Sequence, residues 1–144
     1  MRQGFTLPEV AITLALVGIL TGFAAPSLMA AADRGAIRMG LAQLRGAHEE
    51  ARLTAVLDDR VSVLTIDSLA ITLRTVLGAD TVLKWRRSGP ASWGVRYLGG
   101  RKSFVFAPIG HSIGVSNATL RIEKGGASGS LIISRLGRVR VEMH

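Results

Sequence analysis

Hydrophobic and polar positions divide this chain into three stretches with different periods. Residues 10–32 carry no charged side chain at all, and as a helix these 23 residues reach about 34 Å. That slightly exceeds the hydrocarbon core of a bilayer. After residue 32 the pattern becomes amphipathic: Ile37, Leu41, Leu44, His48, Ala51 and Ala55 recur at alternating steps of four and three, which is one helical face. Arg38, Arg45, Glu49 and Arg52 fall elsewhere on the same helix. Beyond Asp58-Asp59, which marks the helix end, short apolar runs alternate with glycine-rich turns and predict strands.

Read as one helix, residues 5–57 would be about 80 Å long. Gly35, Gly40 and Gly46 lower its intrinsic propensity, so packing against the remainder must compensate. Pro26 removes one ladder hydrogen bond and is expected to kink or loosen it. Gly18-Ile-Leu-Thr-Gly22 is a GxxxG pattern that permits close helix approach, a weak signal by itself. In the remainder, residues 61–66 predict a strand, and 69–77 fit strand or helix. Residues 93–98 and 101–106 flank Gly99-Gly100 and predict a hairpin. Residues 118–124 and 130–134 predict another across Gly-Gly-Ala-Ser-Gly. A last strand alternates Val139, Val141 and Met143 with Arg138, Arg140 and Glu142. The expected class is α+β: a long N-terminal helix, half transmembrane and half amphipathic, packed on a small antiparallel β-sheet head.

Charge sharpens this division. The formal net charge is +8, and the whole excess lies in residues 61–144, where twelve basic groups face Asp67, Asp80, Glu123 and Glu142. A basic head suggests a polyanionic partner; a general preference for arginine, with 15 Arg against 3 Lys, accounts for it equally well. The absence of cysteine removes disulfides, thiolate metal sites and cysteine nucleophiles. His48, His111 and His144 are far apart without metal spacing, and His48 on the apolar stripe reads as a core or interface histidine. Glu49 and Glu50 are sequence neighbours that point to different faces, so they make no catalytic pair. No phosphate-cradling GxxxxGK[ST] occurs. Neither an enzyme activity, a metal nor a cofactor is expected.

Glu9 stands at the mouth of the apolar stretch, where a carboxylate is costly: roughly 2.5–3.5 kcal/mol at mid-span and less near the interface. A secretory signal peptide ending near Met29-Ala-Ala-Ala32 and a simple one-span anchor both leave it unexplained. As a helix cap it fits, because Thr6-Leu7-Pro8-Glu9 has the capping-box pattern. The segment Gly4-Phe5-Thr6-Leu7-Pro8-Glu9 ahead of an apolar helix also resembles the leader of type IV prepilins and type II secretion pseudopilins. Pro8 replaces the aliphatic residue usual there. Ala51-Arg52, Phe106-Ala-Pro-Ile-Gly110 and Ile132-Ile-Ser-Arg-Leu-Gly137-Arg138-Val-Arg140 are similar to the GspH/FimT group of minor pilins.

The resemblance implies a type IV pilin-like fold with residues 1–4 as a cleaved leader, 5–32 as the transmembrane or filament-core helix, 33–58 as its amphipathic half and 59–144 as the head. It implies cleavage between Gly4 and Phe5 by a prepilin peptidase, methylation of Phe5, and a role for Glu9 in assembly with other pilins. The chain would cross the inner membrane once, N-terminus cytoplasmic and head exported, before joining a surface filament. Some FimT-like members bind DNA through a C-terminal Gly-Arg-x-Arg motif, which Gly137-Arg138-Val139-Arg140 matches. That makes Arg138 and Arg140 candidate phosphate contacts, extended by Arg135 and Arg121. On an extended strand Arg138 and Arg140 share a face about 6.6 Å apart, with Val139 and Val141 toward the core. The alternative is a GspH-like pseudopilin of type II secretion that binds no DNA.

Overall fold

The computed structural model describes residues 6–114, 117–134 and 137–144, the side chains at 23 and 24 excepted. Helix α1 (Leu7–Leu57) starts where Thr6 O accepts from Glu9 N and Val10 N at 3.0 and 3.1 Å. Pro8 lies in the first turn, where its missing N–H leaves no partner wanting. Pro26 lies inside the helix without ending it. Thr13 and Thr21 return their hydroxyls to the carbonyls of Val10 and Val17, at 2.8 and 2.7 Å, so neither presents a free donor to an apolar surrounding. The helix ends at Leu57, followed by Asp59 at a positive φ of 50°.

The chain divides into two compact units, Met1–Ala32 and Asp33–His144. In the first, Leu14, Leu20, Leu28 and Met29 are about two-thirds exposed (67, 67, 68 and 70%). This part of the helix is long and apolar enough to cross a membrane.

Among the described residues of the second unit, nine strands follow the helix. They are β1 (Ser62–Ile66), β2 (Ala70–Leu77), β3 (Asp80–Ser88), β4 (Arg96–Tyr97), β5 (Lys102–Phe106), β6 (Ser112–Ile113), β7 (Ala118–Lys124), β8 (Ala127–Ile133) and β9 (Val139–Met143). A short 3-10 helix (Pro90–Trp93) precedes β4. One sheet has the order β3-β2-β1-β5-β6 and the other β4-β7-β8-β9, with antiparallel pairing throughout.

The core lies between the predicted helical stripe and both sheets. Ile37, Leu41, Leu44, His48, Ala51 and Ala55 are all buried. They meet alternating strand positions: Leu64 and Ile66, Ile71 and Leu73, Phe104 and Phe106 on one sheet, Leu120, Ile122, Leu131 and Ile133 on the other. Each fully buried Leu or Ile contributes about 1.5–3 kcal/mol. Two glycines let the helix approach the second sheet. A Cβ on Gly129 would stand 2.7 Å from Leu41 Cδ1, and one on Gly40 would stand 2.9 Å from Ile122 Cδ1. Gly40 therefore serves packing, not only helix propensity.

The tertiary structure corrects two strand expectations and decides a third that the pattern left open. β4 and β5 do not form a hairpin. Tyr97 pairs with Ile122 in one sheet while Phe104 pairs with Leu64 in the other, so Gly99-Gly100 carries the chain between sheets. Gly100 takes φ 60°, and a Cβ on Gly99 would sit 2.5 Å from the Tyr97 hydroxyl. The β7–β8 turn is Gly125-Gly126 alone, because Ala127 already pairs with Lys124. Residues 70–77, ambiguous by pattern, form strand β2.

Strand β3 has no counterpart in the sequence reading. It is an edge strand, exposed along its length except at Trp85, so it lacks the alternation that marks a half-buried strand. Its ladder with β2, together with contacts to α1 and Asp58, holds it instead. Arg87 donates two bonds to Glu50, at 2.6 and 3.0 Å, and stacks 4.1 Å over the Trp85 ring. Lys84 pairs with Asp58 at 2.7 Å, and Gln43 Nε2 donates to Ser88 O at 2.8 Å. Glu49 and Glu50 do diverge: Glu49 accepts from Arg45 at 2.8 Å on the helix itself.

Candidate functional site

The two candidate sites lie at opposite ends of the sequence. At the N-terminus, Gly4 and Phe5 fall outside the described residues. Glu9 is exposed, and its Oε2 lies 3.4 Å from Thr6 N. This is one arm of a capping box, long enough to leave the carboxylate available to a stronger cationic partner.

At the C-terminus, β9 pairs with β8 so that Val139 opposes Ile133, Arg140 opposes Ile132 and Val141 opposes Leu131. Val139 packs against the core as expected, whereas Val141 at the outer edge strand remains 40% exposed. Arg138 lies just before the strand. Its N–H donates to Ser134 Oγ at 3.1 Å, and its carbonyl accepts from Ser134 N at 2.9 Å. Gly137, at φ 75°, forms the turn that makes this clamp possible.

The four candidate arginines are not equivalent. Arg140 Nε is bonded to Glu142 Oε1 at 3.1 Å. Arg121 opposes Ser130, which opposes Glu142, so a carboxylate stands in that row too. Arg121 and Arg138 are exposed and have no carboxylate partner among the described residues. Arg135 lies outside the described residues. The structure thus brings Arg140 and Arg121 onto one sheet, but not as a row of free guanidiniums.

Arg138 instead lines a recess of about 350 Å³ with Arg45, His48, Glu49 and Arg52 of α1. His48 is buried there, edge-on to Phe104 and Phe106 with ring centroids 5.8 and 5.0 Å away, and neither ring nitrogen has a partner among the described residues. Burial holds its pKa below the usual histidine value; Glu49 pulls it up and Arg52 down. The sequence placed His48 in the core correctly. Its meeting with Arg138, ninety residues along by number, could not be read from local periodicity.

Comparison with known proteins bears on the N-terminal segment and on the fold. The prokaryotic N-terminal methylation motif matches residues 1–25. Two crystal structures of the type IV minor pilin FimU from Pseudomonas aeruginosa share the architecture. At 17% identity, one alignment covers 73% of this chain and 91% of the FimU chain with a TM-score of 0.58. The other, also at 17%, covers 76% and 90% with a TM-score of 0.62. The fold is type IV pilin-like. At that identity the likeness to FimU is one of fold. None of the curated proteins matches the chain significantly. A pilin-like frame explains the division of α1: its first part leaves apolar side chains uncovered, and its second supplies one wall of the head's core.

Proposed function

We propose that this pilin-like chain is a minor subunit of a membrane-anchored type IV filament, acting at its initiation or tip. The observation that carries the reading is Glu9, a lone carboxylate five residues after Gly4 and directly ahead of an uncharged, uncovered helix. On this reading prepilin peptidase cuts after Gly4 and Phe5 becomes the methylated N-terminus. Glu9 then meets the terminal amine of a neighbouring pilin. In apolar surroundings a charge pair with good geometry offsets much of its own desolvation, while a lone charge does not, which fixes axial register. The head is exported and the leader stays on the cytoplasmic side with Arg2.

Intact-mass measurement of the membrane-extracted protein tests this. The expected mass lacks residues 1–4 and carries one added methyl group. An uncleaved chain, or a new N-terminus near Ala31, would overturn it. Deleting the gene then separates the machines: loss of pili supports the pilus subunit, and loss of secreted proteins supports the GspH-like pseudopilin.

A second activity, DNA capture by the head, is favoured by the exposed, carboxylate-free guanidiniums of Arg121 and Arg138 beside Arg140 in Gly137-Arg138-Val139-Arg140. Arg135 belongs to the same stretch. Binding through these groups would be sequence-independent and salt-sensitive. If Arg138→Ala/Arg140→Ala binds duplex as tightly as the parent chain, this activity does not reside in the C-terminal motif.

A further inference from the structure

A further unexplained surface feature lies on the other sheet. Register places Arg86 opposite Thr72, Thr72 opposite Thr65, and Thr65 opposite Ser103, so the four form one row across β3, β2, β1 and β5. Three strand spacings of about 4.8 Å make this row roughly 14 Å long. It forms the floor of an open recess of about 570 Å³ whose rim includes Arg74, Arg101 and Asp67. Arg74, Arg86 and Arg101 are exposed, and none has a carboxylate partner among the described residues. The contrast within β3 is instructive. Arg87, the next residue, points to the opposite face and is neutralised by Glu50, whereas Arg86 is left free.

The floor is built to donate. Thr65 Oγ1 and Ser103 Oγ are 3.2 Å apart and share one hydrogen bond, so the proton of whichever hydroxyl accepts remains available. Thr72 supplies a further hydroxyl. Asp67 already accepts from Ser68 N at 2.6 Å, and it is the one carboxylate in the recess.

We propose that this recess is a cradle for the phosphate backbone of double-stranded nucleic acid, separate from the C-terminal arginines. Three free guanidiniums over a hydroxyl floor match the donor set that contacts phosphates. The lining contains no aromatic side chain, which argues against single strands, whose bases stack on aromatic platforms. Its apolar lining is limited to Leu69 and Ala70, short of the aromatic and apolar centre that a protein interface of this kind requires. A 14 Å row matches a stretch of duplex carrying about four phosphates per strand.

The test uses the full-length chain in an uncharged detergent, titrated into fluorescent duplex DNA at several salt concentrations. Arg74→Gln/Arg86→Gln/Arg101→Gln should weaken binding about tenfold or more and make the log–log salt slope shallower by about 3. A control of equal charge change, Arg34→Gln/Arg38→Gln/Arg60→Gln, should change little. Thr65→Val/Thr72→Val keeps strand propensity and charge, and should lower affinity without altering the slope. Asp67→Asn retains the acceptor for Ser68 N and should tighten binding, because the like charge is gone. Equal losses from the cradle and control triples would overturn the proposal, as would equally tight capture of poly-L-glutamate by the parent chain. The two surfaces separate cleanly. Loss only in Arg138→Ala/Arg140→Ala overturns the cradle and retains the C-terminal site; loss only in the cradle triple does the reverse.

Discussion

Arg140 Nε lies 3.1 Å from Glu142 Oε1, two residues along the same strand and on the same face, so half of the Gly-Arg-x-Arg pair is already engaged. A carboxylate so placed competes with any phosphate for that guanidinium. Glu142→Gln should therefore raise duplex affinity and steepen the log–log salt slope by about 1 if Arg140 contacts DNA. Fluorescence anisotropy at several salt concentrations measures both. An unchanged slope would place Arg140 outside the contact.

Glu9→Leu should leave membrane insertion intact, since an ionisable group disappears from an apolar boundary. Assembly should fall because the neighbouring terminal amine loses its counter-charge. The chain has no cysteine, so cysteines introduced in pairs give an unambiguous crosslinking readout. Crosslinking to other pilins at parental yield would reduce Glu9 to a helix cap.

Gly129→Ala should destabilise the head by about 1–3 kcal/mol, since the new methyl meets Leu41 Cδ1 and Ile37 Cγ2 at 2.7 and 3.0 Å. Leu41→Ala alone should cost about 2–5 kcal/mol. Combined, the two should cost less than their sum, because the truncated leucine makes room. Urea unfolding followed by the fluorescence of Trp85 and Trp93 gives the three values.

His48 gives the head a pH dependence with a defined sign. Its folded pKa lies below the ordinary value of 6.5, chiefly through burial, so the unfolded chain takes up the proton first as pH falls. The stability it contributes is complete above pH 6.5 and is lost as the pH drops from there through the folded pKa. Urea midpoints should decline over that range, and His48→Phe should flatten the decline. An unchanged profile in the variant would assign the acid sensitivity to other groups.

Tyr97 is the single tyrosine, and its buried hydroxyl has no hydrogen-bond partner among the described residues. Burial first, and then the Asp67 charge, push its pKa from 10.0 to about 12. Ultraviolet titration of the folded protein should show phenolate only near pH 12, and Asp67→Asn should lower that midpoint. Because the unfolded chain ionises first here, stability should fall as pH rises from 10 toward 12.

The residue pattern by itself determined whatever depends on local period. The uncharged span, the helical stripe from Ile37 to Ala55, the helix end at Asp58-Asp59, and strands β7 and β9 were legible because 3.6- and 2-residue repeats are properties of neighbouring positions. The unusual position of Glu9 stands out in the sequence because it is local too. Strand partnership was not. Gly99-Gly100 has the composition of a hairpin turn, yet Tyr97 and Phe104 pair into different sheets, since each strand completes an apolar face against α1. Strand β3 was not legible because its support comes from the ladder with β2 and ion pairs to Glu50 and Asp58, not from its own alternation. The same distinction governs the arginines. Arg86 and Arg87 are identical neighbours in the chain, and opposite sides of the strand leave one free and one neutralised. Charge is a property of sequence, but whether a charge is available to a partner depends on which carboxylate the fold brings within about 4 Å, and that is a long-range contact.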